Sequence, residues 1–106
     1  MTIKSRMMEK GGCVCILTNK YHTVLYVGAS SDLINWVRKH RLKLFPESFT
    51  AKYNCDKLVY YKGFHCIEEA LAEELRIKVG SRAKKIELVN SMNETRIDFW
   101  DEIKHW

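Results

Sequence analysis

The sequence predicts an α+β fold, a three-stranded antiparallel sheet flanked by helices in the order β-β-α-β-α-α. Three observations lead there. Two short apolar runs, residues 13–17 and 23–27, lie a turn's length apart. A third run at residues 57–62 is rich in Val and Tyr. Between and after these runs, apolar residues recur at helical spacing.

The first run, CVCIL, is bounded by Gly11 and Gly12 on one side and by Asn19 and Lys20 on the other. It reads as a buried strand. The second, TVLYV, completes a hairpin with its turn over residues 19–22, and Gly28 is expected to end it. Ser30 or Ser31 then caps a helix over about residues 32–44, with Asp32 in its first turn. On that helix Leu33, Val37 and Leu44 share one narrow face. His40 lies on the same face, Trp36 lies on its flank with Lys39 and Lys43 beside it, and Arg38 projects roughly opposite His40. Pro46 terminates the segment. Residues 47–56 read as a polar connection carrying Lys52, and KLVYYK at 57–62 as the third strand. A second helix over about residues 67–79 has Ile67, Ala70, Leu71 and Ile77 as its apolar face, and Gly80 stops it. Ser81 caps a third helix, with Ile86 and Val89 inward. The tail contains Phe99, Trp100, Ile103 and Trp106 and is expected to form a short amphipathic helix packing over the domain.

The length, 106 residues, allows one domain, placed at residues 11–89 with a tail at 90–106. No run of about 20 apolar residues exists to span a membrane. The basic start has no apolar stretch of the secretory kind behind it, so a cytoplasmic location is expected. Cys13, Cys15, Cys55 and Cys66 contain no metal-clip spacing and read as reduced, small apolar residues. The formal charge is +5 and unevenly spread. Residues 1–53 carry nine Lys/Arg against three Asp/Glu, and residues 54–106 carry nine against ten. A basic first half suits a surface facing phosphates.

Some polar residues break the apolar faces. Glu74 projects into the middle of the second helix's apolar face, where an unpartnered carboxylate would be costly. Either a salt bridge at a wet helix edge or the rim of a cleft holding a hard cation accounts for it. His40 has two readings as well, a hydrogen-bonded structural residue or a member of a site. Tyr26, just ahead of Gly28, is a third candidate, and alone it would be a core tyrosine.

Seven segments in order now carry a resemblance: ILTN at residues 16–19, YVG at 26–28, SDL at 31–33, FTAKYN at 49–54, KLVYY at 57–61, EEALAEELRIK at 68–78 and SRAKKIELV at 81–89. Together the chain resembles the small single-domain members of the GIY-YIG nuclease family. That resemblance implies a three-stranded antiparallel sheet with helices around it. It also implies phosphodiester cleavage with Mg²⁺ or Mn²⁺ and a nucleic-acid partner, DNA by preference. Carried over by position, Tyr26 is the second-motif tyrosine, kept with Gly28. His40 is the helix histidine, and Glu74 is the catalytic glutamate that holds the metal. Gly28, Lys39, Lys43 and Lys52 are expected beside the cleft as the nucleic-acid contacts.

Two positions depart from the family pattern. The first-motif tyrosine falls at Cys15 and the helix arginine at Trp36. A thiol is shorter than a phenol and a poor partner for Mg²⁺, and an indole carries no charge. Substituting Trp36→Arg with Cys15→Tyr would restore the pattern in a folded chain only if both positions line the cleft, and Trp36 is the one expected to risk a packing penalty. Three functions stay open: a weak or diverged nuclease, a non-catalytic nucleic-acid-binding module on that scaffold, and a protein-interaction module using Phe99, Trp100 and Trp106.

Overall fold

Every residue of the first strand is buried, so it must be covered on both faces and paired on both edges. The computed structural model, which describes residues 11–105, shows this arrangement. Strand β1 (Gly12–Thr18) lies between β2 (Leu25–Ser30) and β3 (Lys57–Phe64), antiparallel to each. The remaining elements are helix α1 (Leu33–Arg41), the helical turn α2 (Phe49–Lys52), helices α3 (Ile67–Lys78) and α4 (Arg82–Met92), and the turn α5 (Trp100–Ile103).

Strand alternation sorts the core into two halves. Cys13, Cys15 and Leu17 face Leu33 and Val37 of α1, together with Leu58, Tyr61 and Ile103. Val14 and Ile16 face the other way, toward Ala70 and Ile77 of α3 and Val89 of α4. Ile16 pairs with Tyr60 and Leu17 with Leu58, so the register slips by one residue. The bulge puts both Val59 and Tyr60 on the α3 face and keeps Leu58 and Tyr61 on the α1 face.

Several boundaries differ from the sequence-based expectation, each for a local reason. The Asn19 side-chain oxygen accepts from the backbone N–H of Thr23 at 2.8 Å and of Val24 at 3.1 Å. Those two residues therefore belong to the turn, and β2 begins at Leu25. Gly28 sits inside the strand, opposite Cys15, rather than ending it. Asp32 is the N-cap of α1, accepting from Asn35 N–H at 3.2 Å. The helix stops at Arg41, and Lys43 adopts a left-handed conformation at φ 52°. Leu44 is consequently exposed and does not join Leu33 and Val37. The polar connection is partly helical, because the Ser48 hydroxyl accepts from Ala51 N–H and starts α2. Leu71 is exposed, because the inward line of α3 runs through Ala70 and Ile77.

The tail is tied to the sheet. Buried Asn93 donates to Val59 C=O at 3.2 Å and Ile97 C=O at 2.7 Å. Asp98 accepts from Leu58 N–H at 3.1 Å and pairs with Arg41 at 2.8 Å. Ile103 is fully buried. Phe99 packs edge-on against Tyr61, and Trp100 lies under the guanidinium groups of Arg38 and Arg41. Trp106 lies outside the described residues. Among those residues, no helix is long and apolar enough to cross a membrane.

Candidate functional site

The site is assembled where β2 meets α1. Gly28 has no side chain, and that gap is filled by the indole of Trp36. A Cβ at position 28 would stand 2.3 Å from Trp36 Cζ2. The indole in turn stacks beside Tyr26, at 6.3 Å between ring centroids and 16° between planes. One turn further along α1, His40 meets Trp36 edge-on at 4.4 Å and Tyr26 at 5.9 Å. Phe49 of α2 continues the row, stacked on Tyr26 at 5.8 Å, and Tyr53 follows at 4.7 Å from Phe49. Tyr26 is thus the hub of an aromatic ladder that runs from helix α1 to the surface.

His40 is fixed by Thr50, whose Oγ1 is 2.6 Å from His40 Nδ1 and 3.2 Å from Ser48 Oγ. Burial lowers the imidazole's pKa from its ordinary value, which favours the neutral ring. The bond to Thr50 ties α1 to the turn α2.

Cys15 lies in the core and not in the cleft. Its side chain is fully buried, and its thiol donates to Gly28 C=O at 3.7 Å. Burial pushes its pKa well above the ordinary value, helped by the neighbouring Cys13 and by the negative charge of Glu74. A thiol held protonated in a dry core is neither a nucleophile nor a base. The packing risk is therefore the reverse of the expected one. Cys15 is the position that would reject a large ring, and Trp36 is only partly buried.

Glu74 stands on α3 and pairs with Lys78 at 3.4 Å, its side chain 20% exposed. Lys78 lines an open cleft of about 320 Å³ with Leu25, Tyr26, Val27, Phe49 and Lys85. The structure therefore brings Tyr26 and His40 into ring contact. Glu74 pairs with Lys78, which lines the cleft beside Tyr26. No described contact links its carboxylate directly to either ring.

The arginines of α1 are turned elsewhere. Arg38 lies over Trp100 at 6.0 Å. Arg41 lies over the same ring at 5.4 Å, pairs with Asp98 and donates to Asp56 C=O at 3.0 Å. Lys39 and Lys52 are exposed. Lys43, beyond the helix end, donates to Asn54 Oδ1.

The sequence reading missed Phe49, Tyr53, Thr50, Lys78 and Lys85. Phe49 and Tyr53 stand four residues apart, the spacing of one helix face. Residues 75–86 carry five cations and no carboxylate. Averaging the charge over half the chain concealed that run behind the acidic residues on either side.

Among the described residues, no three His, Cys, Asp or Glu side chains converge as a metal cage. A single carboxylate still suits Mg²⁺, which keeps several waters and takes its remaining ligands from substrate phosphates. Here Glu74 would have to release Lys78 to hold it.

A solved structure similar to the chain is the solution NMR structure of the UPF0213 protein BH0048 from Bacillus halodurans. It is 27% identical over 88% of this chain and 94% of that one, with a TM-score of 0.49. No curated protein matches the chain. The family model described as the GIY-YIG catalytic domain matches residues 11–87, well over half of the length. The chain belongs to the GIY-YIG family, a family of nucleases.

Proposed function

We propose that this chain binds nucleic acid, DNA by preference, on a GIY-YIG scaffold whose phosphodiester cleavage is impaired. The observation that carries the reading is Trp36. An uncharged indole, packed on Gly28 and against Tyr26 and His40, stands where the family pattern has an arginine. The nearest guanidinium groups on α1 are committed to Trp100 and Asp98.

The retained groups have definite roles. Tyr26 supplies a hydroxyl at the cleft, and His40 a neutral imidazole held by Thr50. Glu74 supplies the carboxylate that would hold a divalent ion. That ion, Mg²⁺ or Mn²⁺ in the family pattern, stabilises negative charge on the phosphate when bound. What is lacking is a guanidinium at the arginine position of the family pattern; the cations that line the cleft, Lys78 and Lys85, are engaged by Glu74 and by the carbonyls of Lys78 and Gly80. Losing one such group typically costs about 10²–10³ in rate. Losing the proton-transfer partner at position 15 costs about 10²–10⁴, and the two losses do not simply add.

Binding needs none of the missing groups. It draws on the exposed Lys39, Lys43 and Lys52 and on the exposed Phe49 and Tyr53 rings. Such binding is weak, independent of sequence and salt-sensitive. Neutralising about three or four phosphates gives a log–log salt slope near −3. Fluorescence anisotropy of a labelled oligonucleotide across a salt series measures it. A slope near zero, or no binding at low salt, removes the reading.

A further inference from the structure

We infer that the turn joining α3 to α4 is a second phosphate-binding strip, continuous with the Tyr26–Phe49 cleft, so that a nucleic-acid strand runs from the aromatic ladder across Lys85 to Lys84. The inference rests on the nucleic-acid reading above and adds a path to it.

Two cavities meet at this turn. One is the 320 Å³ cleft with Tyr26 and Phe49 on one side and Lys78 and Lys85 on the other. The second, about 440 Å³, lies in the groove between α3 and α4 beside Arg76, Gly80, Lys84 and Lys85. Lys85 lines both. A single anion would occupy one cavity. A polyanion with regularly spaced charges can follow the shared wall from one to the other.

The carboxylates around the strip are few and mostly engaged. Glu73 holds Arg76 through two bonds of 2.6 Å, and Glu74 holds Lys78. Glu87 stands on the α4 side of the groove. Arg82, Lys84 and Lys85 pair with no carboxylate among the described residues. Two of these three cations are positioned in advance. Lys85 Nζ donates to the carbonyls of Lys78 at 3.3 Å and Gly80 at 3.1 Å, which caps the end of α3. Arg82 donates to Thr23 C=O at 2.8 Å, which pins its guanidinium against the hairpin turn. Side chains already ordered in the free protein lose less entropy on binding than mobile surface lysines.

The experiment compares two double variants of equal charge change by anisotropy, on a labelled duplex and on the matching single strand, across a salt series. Arg82→Gln/Lys84→Gln removes two of the three cations that pair with no carboxylate, Lys84 from the groove and Arg82 from the start of α4 beside it, and spares Lys85, which supports α3. Lys57→Gln/Lys104→Gln removes two cations near the tail. Circular dichroism melts confirm that each is folded. The strip variant is expected to bind about tenfold more weakly at low salt and to lose about 2 from the salt slope. The tail variant is expected to match the wild type. If the wild type binds and both variants fall equally, or the folded strip variant binds unchanged, the strip is wrong while nucleic-acid binding stands. If the wild type binds neither strand form, the parent reading fails and the strip fails with it. A preference for duplex or single strand in the wild-type data identifies which form follows the path.

Discussion

Gly28 and Trp36 are one structural unit made of two residues. The glycine is not needed for an unusual backbone angle, since its φ is not positive. It is needed because the indole lies where its side chain would be. Gly28→Ala should therefore destabilise the fold by about 1–3 kcal/mol, the usual cost of forcing an extra methyl into a packed contact. In a Trp36→Ala background the same change should cost much less, because the ring that blocks the methyl is gone. Urea unfolding of the four proteins in this cycle gives the coupling energy. An equal cost in both backgrounds would mean that the indole is not what excludes a side chain at position 28. The contact also sets what substitutions toward the family pattern would disturb. Trp36→Arg regains a charge but empties the space over Gly28. Cys15→Tyr asks a fully buried position to accept a ring.

At the scale of elements, the bond between His40 and Thr50 joins α1 to α2 across a connection that contains the left-handed residues Lys43 and Asn54. It also makes the join sensitive to pH. The folded-state pKa of His40 lies below its ordinary value of 6.5 because burial penalises the charged ring. Above that value the ring is neutral in both states and the stability is complete. As pH falls through 6.5 toward the lower folded value, the unfolded chain takes up the proton first and stability is lost. His22 is shifted in the same direction, by burial first and then by Lys57 and Arg96, and titrates in the same window. His40→Gln should thus flatten part, not all, of the fall in stability between about pH 7.5 and pH 5. Denaturant midpoints at the two pH values measure it, and an undiminished fall in the variant would place the effect elsewhere. The tail tells a related story. Its aromatic residues look available for a partner in the sequence. In the structure Phe99 and Trp100 are spent on Tyr61, Arg38 and Arg41, which weakens the protein-interaction reading.

For the whole molecule, the sequence makes the architecture legible because burial and alternation act locally. CVCIL reads as a buried strand and is one, and Ser81 caps its helix as expected, accepting from Lys84 N–H at 3.1 Å. The ends of elements are less legible because they depend on turn chemistry. Asn19 takes two residues from β2, and Lys43 closes α1 early. Of the residues that break a pattern, His40 does meet Tyr26 in the structure, whereas Glu74 pairs with Lys78. The site is illegible where residues from distant segments meet, as when Phe49 reaches Tyr26 or Lys85 reaches the cleft. The position of Cys15 shows the limit of carrying a motif across by alignment alone. The residue occupies the motif position, yet its shorter side chain ends in the core, where a tyrosine's hydroxyl would have extended further.

On the proposed function, the nuclease scaffold keeps Tyr26, His40 and Glu74 but has Trp36 where the family pattern places an arginine. The most direct measurement is cleavage of labelled linear and branched DNA and RNA on denaturing gels, with Mg²⁺ or Mn²⁺, by the wild type beside Glu74→Ala. The two proteins should be indistinguishable, with product at or near the level of a protein-free control. Robust cleavage by the wild type that disappears with Glu74→Ala would show that the chain has recruited another cation, and impaired catalysis would be refuted.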